Sequence, residues 1–131
     1  MLNTNRASDL LGIAGDVLDG RIARAEQRHA AALTHWQKAV AQQDKLVYDE
    51  PPAWYYPVRE SLGAELLLLR QFPEAEKIFR RDLEINPNNP RSLFGLSEAR
   101  KGQSGSDAAQ ARHHFEDAWK KAELQLTVEG L

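Results

Sequence analysis

Residues 62–87 read LGAELLLLRQFPEAEKIFRRDLEINP, and this stretch decides the fold. Gly63 is followed after twelve residues by Ala75, after four more by Phe79, and then by Pro87. Apolar residues recur at helical spacing from Val58 to Arg70, and again from Glu74 to Ile85. Phe72-Pro73 marks a turn between the two runs. Asn86-Pro87 ends the second, because the residue before a proline is pushed out of the helical region. The stretch is therefore a helical hairpin.

Outward from it the pattern is still helical. Leu10, Leu11, Ala14, Val17, Leu18, Ile22 and Ala25 form an apolar stripe at three- and four-residue spacing. A second run covers Glu26 to Lys45, with Ala32, Leu33, Trp36, Ala39 and Val40 on one face. Neither proline nor glycine marks the turn between these two runs. Residues 47–57 interrupt the pattern with Pro51, Pro52 and Pro57 around Trp54, Tyr55 and Tyr56. Pro90 or Arg91 opens a further helix to about Arg100, and residues 101–107 read as a loop. A last helix carries Ala111, Phe115, Ala118 and Ala122. The expectation is an all-α array of about three hairpins and six to seven helices.

The spacing of Gly63, Ala75, Phe79 and Pro87 resembles the tetratricopeptide repeat, a helix–turn–helix unit of about 34 residues. Gly20, Ala32, Trp36 and Ala39 repeat the offsets upstream, and Ala111, Phe115 and Ala118 downstream, with Ser97 replacing the glycine. The resemblance implies a right-handed solenoid in a single domain, 1–131. Its repeats would cover 13–46, 56–89 and 90–125, with 47–57 inserted. The small residues would sit where helices cross, the aromatic between neighbouring hairpins, and Pro87 at the end of a second helix. There are departures: Arg59 stands at the tryptophan place, Leu66 at the tyrosine place, and Asp82 at a late small place. The chain is similar to the terminal repeats of larger bacterial proteins of this family.

Composition narrows the function. The 131 residues are 42% apolar and 27% charged, as in ordinary globular domains. A net charge of −2 gives no reason to expect nucleic acid or a membrane surface as partner. The chain has no cysteine, which excludes disulfides, thiolate catalysis and cysteine-ligated zinc. The start lacks a long apolar run, and Leu66 to Leu69 is far too short to span a bilayer, so the expected location is cytoplasmic. No phosphate-loop, nucleophile-elbow, metalloprotease or dinucleotide motif occurs. Of the histidines, His29, His35, His113 and His114, the last two are adjacent and diverge on a helix, so no metal ligand set is expected. Neither an enzyme nor a cofactor is expected.

By resemblance, the first helix of each hairpin lines a concave groove that takes a peptide or partner helix. The places are Arg21 and Arg24, then Glu60 and Leu67, then Arg91, Phe94, Glu98 and Lys101. Leu67 and Phe94 would give an apolar floor, the cations a rim suited to carboxylates. The family's chaperone-tail clamp is absent, since Val17, Arg21 and Ser61 stand at its lysine and asparagine places. The alternative is a homo-oligomer assembled through the last helix by residues such as Trp119, Leu124 and Val128, since Trp119, Leu124, Leu126, Val128 and Leu131 cannot all face one stripe.

Overall fold

The computed structural model describes residues 7–46, 56–103 and 128–131. Five α-helices occur among them: α1 (Ala7–Ala25), α2 (His29–Asp44), α3 (Arg59–Leu68), α4 (Phe72–Ile85) and α5 (Pro90–Gly102). A 3-10 turn follows at Val128–Gly130. No strand occurs among the described residues. The predicted helix carrying Ala111, Phe115 and Ala118 lies outside them, as do Trp54, Tyr55, Trp119 and Leu124. The chain divides into two compact units, Met1–Val58 and Arg59–Leu131.

The first unit is the α1–α2 hairpin. Ile13, Val17, Gly20 and Ala23 of α1 are buried, as are Ala32, Trp36, Ala39 and Val40 of α2. The face that packs differs from the stripe predicted for α1. Leu11, Leu18 and Ile22 point away from the hairpin, 71%, 58% and 48% exposed. The helix is apolar over two faces, and the one that packs contains Gly20, whose backbone the Trp36 ring approaches closely. A Cβ built at Gly20 would lie 2.8 Å from that ring. At the C-terminal end of α2, the Gln43 side chain ties down the returning chain. Its amide nitrogen donates to Tyr56 O at 2.8 Å and its oxygen accepts from Val58 N at 2.8 Å.

The second unit packs α3 against α4, α4 against α5, and α3 against α5. Phe79 is the centre. It is fully buried, and its ring lies between Gly63 of α3 and Gly95 of α5. Phe72 and Pro73, expected as a turn, instead begin α4, where proline loses nothing by lacking an N–H. Asn89 caps α5: its side chain accepts from Arg91 N at 3.2 Å, and Pro90 takes the first helical place.

The two hairpins repeat one another at the level of the backbone. Ala23 O accepts from Arg28 N at 2.8 Å and Arg24 O from Gln27 N at 2.9 Å; Leu66 O accepts from Gln71 N at 2.8 Å and Leu67 O from Arg70 N at 2.9 Å. These are the paired bonds of a Schellman ending. In each turn one residue takes the left-handed conformation, Gln27 with φ 59° and Arg70 with φ 59°. The residues that precede α2 and α4, Arg28 (φ −91°, ψ 70°) and Gln71 (φ −91°, ψ 69°), also agree. Every equivalent pair, including Gly20 with Gly63 and Trp36 with Phe79, stands 43 residues apart. The chain thus contains one hairpin design twice.

Candidate functional site

The candidate site lies in the second unit, where the start of α3, the end of α4 and the start of α5 meet. Four polar side chains are buried there: Glu60, Asp82, Ser92 and, in part, Asn89. Burying two carboxylates is costly unless each is hydrogen-bonded, and here each is. Asp82 accepts from Ser92 Oγ at 2.5 Å, from Asn86 Nδ2 at 2.8 Å and from Asn89 Nδ2 at 2.8 Å. Asn89 Nδ2 also donates to Glu60 Oε2 at 2.9 Å. The second oxygen of Glu60 accepts from Arg91 Nε at 2.8 Å. Asp82 therefore stands at a position expected to be small because the network satisfies it.

Burial pushes the Glu60 carboxyl above its ordinary range, and the nearby Asp82 charge adds to that. Hydrogen bonds from Asn89 and Arg91 and the Arg91 charge work against it without cancelling it. Glu76, at the other end of the unit, goes the opposite way. Burial raises it, but hydrogen bonds from Arg80 and Gln103 and the charges of Arg80 and Arg100 outweigh that and lower it.

The guanidinium of Arg91 has a second partner. Its Nη2 donates to the carbonyl of Gly130 in the 3-10 turn. That turn packs on α3, and Leu131 beyond it is buried, 8% exposed. Val128 is half-buried. The 3-10 turn thus rests on α3, with Gly130 held by Arg91.

The structure brings together some of the predicted groove residues. Glu60 and Arg91 form an ion pair with each other, 2.8 Å apart, with Glu60 nearly enclosed and a third of Arg91 exposed. Leu67 and Phe94 are buried, Glu98 is half-buried and Lys101 is exposed. Arg21 and Arg24 belong to the first unit. Arg21 lies over Tyr56, 5.8 Å from the ring centre, and Arg24 over Trp36 at 5.2 Å. Sequence reasoning missed Asp82, Asn89 and Ser92 as a network and Gly95 as the second neighbour of Phe79. The Asn-Pro-Asn-Asn-Pro-Arg-Ser run of residues 86–92 was the available signal, a dense set of short polar side chains just after a helical acid.

In the first unit, Asp16, Asp19 and His35 place ligand atoms within 4.8 Å of one another. His35 Nδ1 lies 3.2 Å from Asp16 Oδ1, and Gln42 Nε2 donates to Asp16 Oδ2 at 2.6 Å. Both Asp16 oxygens are thereby spent on holding α1 to α2.

No helix among the described residues is long and apolar enough to cross a membrane. Compared with family models, with curated proteins and with solved structures, the chain finds no match.

Proposed function

We propose that this chain is a non-enzymatic protein-interaction module built as a tetratricopeptide-like solenoid. Its groove, lined by the first helices of the hairpins, takes a peptide or a helix of another protein. The observation that carries this reading is the 43-residue recurrence of one hairpin, glycine against aromatic and turn against turn. Stacked copies of a supersecondary unit are the architecture of extended binding surfaces. The recurrence equals a repeat of about 34 residues plus an insertion of about nine, which accounts for the proline and aromatic segment 47–57. On this reading α3 and α5 are first helices, and Glu60, Leu67, Arg91, Phe94, Glu98 and Lys101 belong to the groove. Arg21 and Arg24 stand at the matching places of α1, with Arg24 equivalent to Leu67.

The test is a peptide-display selection on the immobilised chain, repeated on Lys101→Glu and Arg21→Glu. Lys101 and Arg21 are exposed, and because Arg21 also lies over the Tyr56 ring, circular dichroism first establishes that both variants are folded. Enriched sequences that bind the wild type with micromolar affinity and the variants at least about tenfold more weakly support the groove. Equal binding to all three places the surface elsewhere.

A second reading, self-association, is favoured by the exposed row of Leu11, Leu18 and Ile22 on α1. Sedimentation of the wild type and of Leu18→Glu decides it. A dimer that the substitution dissociates supports it, and a monomer at high concentration removes it.

A further inference from the structure

We infer that α1 pairs with α1 of a second copy of this chain, side by side and parallel, as a short two-stranded coiled coil. The inference rests on the self-association reading above and fixes the partner, its direction and its register.

The outer face of α1 has a period of its own. Leu11, Gly15, Leu18, Ile22 and Ala25 follow one another at steps of four, three, four and three residues, the spacing of a heptad seam. At about 3.6 residues per turn they fall within roughly 80° of arc. The buried residues Ile13, Val17, Gly20 and Ala23 lie on the opposite side of the helix. All five seam residues are exposed, and a Cβ on Gly15 would meet nothing within 4 Å. One apolar stripe suffices to hold a surface helix to its own fold. A second, at the heptad period, is what a helix needs to pack on a further helix.

The lettering of the seam points to an identical partner. Leu11, Leu18 and Ala25 take the d places, Gly15 and Ile22 the a places. Leucine at d with isoleucine at a favours two parallel strands. The flanks carry opposite charge: Arg21 stands at g, Asp19 and Glu26 at e, all three exposed. Glu26 follows the last residue of α1 but keeps its register, since its N–H donates to Ile22 O at 3.0 Å. In a symmetric parallel pair the g flank of each helix faces the e flank of the other, so Arg21 meets Glu26 of the second copy, twice. An antiparallel pair would set the acidic flanks against each other. Arg21 also lies over Tyr56, and Glu26 lies 3.8 Å from Arg28; both are exposed contacts that cost little to share. Because α1 is already helical in the first hairpin, pairing carries no cost of helix formation. The seam spans only two heptads, so the expected Kd is micromolar.

The experiment is sedimentation equilibrium of the full chain at low salt, with circular dichroism to establish that each variant is folded. The wild type should dimerise. Arg21→Glu and Glu26→Arg should each weaken the dimer at least about fivefold, and the two together should restore it to within about threefold, as exchange of a charge pair requires. Leu11→Cys reports direction without touching a charge, because the chain has no other cysteine. A parallel pair places the two copies of position 11 together, and mild oxidation should give a covalent dimer. An antiparallel pair in which Leu11 faces Ile22 would hold them about 16 Å apart, beyond the reach of a disulfide. A dimer that ignores the charge reversals, or that Leu11→Cys does not cross-link, overturns this inference and leaves self-association standing. A monomer at every concentration removes both and leaves the seam to a helix of another protein.

Discussion

Gly63 and Phe79 face each other across the α3–α4 hairpin with no room for a side chain between them. A Cβ on Gly63 would come within 2.4 Å of the ring's Cζ. Gly95 approaches the same ring from α5, where a Cβ would come within 2.2 Å. One aromatic ring is thus held between two helix backbones, and it sets the spacing of three helices.

Alanine at Gly63 or Gly95 should therefore destabilise the chain by about 1–3 kcal/mol, the usual result of overpacking. Gly15 of α1 supplies the control, because a Cβ there meets nothing within 4 Å. Gly15→Ala should stabilise by roughly 0.5–1 kcal/mol through helix propensity alone. Urea melts of the three variants separate crowding from propensity.

Phe79→Ala removes the fully buried ring and should cost roughly 3–5 kcal/mol. Trp36→Ala, its equivalent in the first hairpin, should cost a similar amount. Phe79→Leu should retain part of the loss, since leucine fills part of the volume. Thermal unfolding by circular dichroism gives the order.

Gln27 and Arg70 hold left-handed backbone without being glycine. A side-chain-bearing residue in that conformation costs about 1–2 kcal/mol, against the roughly 0.5–1 kcal/mol that glycine loses in chain entropy. Gln27→Gly should thus stabilise by about 0.5–1 kcal/mol, the difference of the two. Arg70→Gly should come out near neutral, because Arg70 also lies 5.4 Å from the centre of the Phe72 ring and forfeits that attraction. Equal effects at the two sites would contradict this assignment.

The raised Glu60 carboxyl gives a pH signature. A carboxyl with a folded-state pKa above its unfolded value adds stability below the unfolded value and loses it as pH rises through the folded one. Glu60→Gln cannot titrate, so its stability relative to the wild type should improve as pH climbs from about 4 towards neutrality. A difference that shrinks over that range would place the ionised form, not the neutral one, as the better fit. Glu76, held low, acts in the opposite sense, contributing above its ordinary range and losing that contribution as pH falls.

The helices were legible because their apolar residues keep the period of 3.6 over long runs, and the Gly63–Phe79 spacing is that of a helical hairpin. The turn after α1 was not legible, since Gln27 bends the chain where glycine would normally advertise it. Gly95 was passed over in favour of Ser97, which stands at the place the repeat spacing designates and is buried too. Asp82 near a helix end looks like a solvated charge; only the long-range arrival of Ser92 and Asn89 makes it an interior one. Glu60 and Arg91 read as two separate rim charges for the same reason, 31 residues apart in sequence yet joined in space. Two faces of α1 are apolar, so hydropathy alone could not choose the one that packs against Trp36.

The two turns share one geometry but carry opposite lettering, Gln27-Arg28 in one and Arg70-Gln71 in the other. Their shape is dictated from outside, by the helices they join. Such a loop accepts either side chain at its left-handed place, and what it asks of the residue there is backbone tolerance rather than a particular contact. A protein engineer could accordingly exchange the two pairs, Arg-Gln for Gln27-Arg28 and Gln-Arg for Arg70-Gln71, and both hairpins should keep their shape.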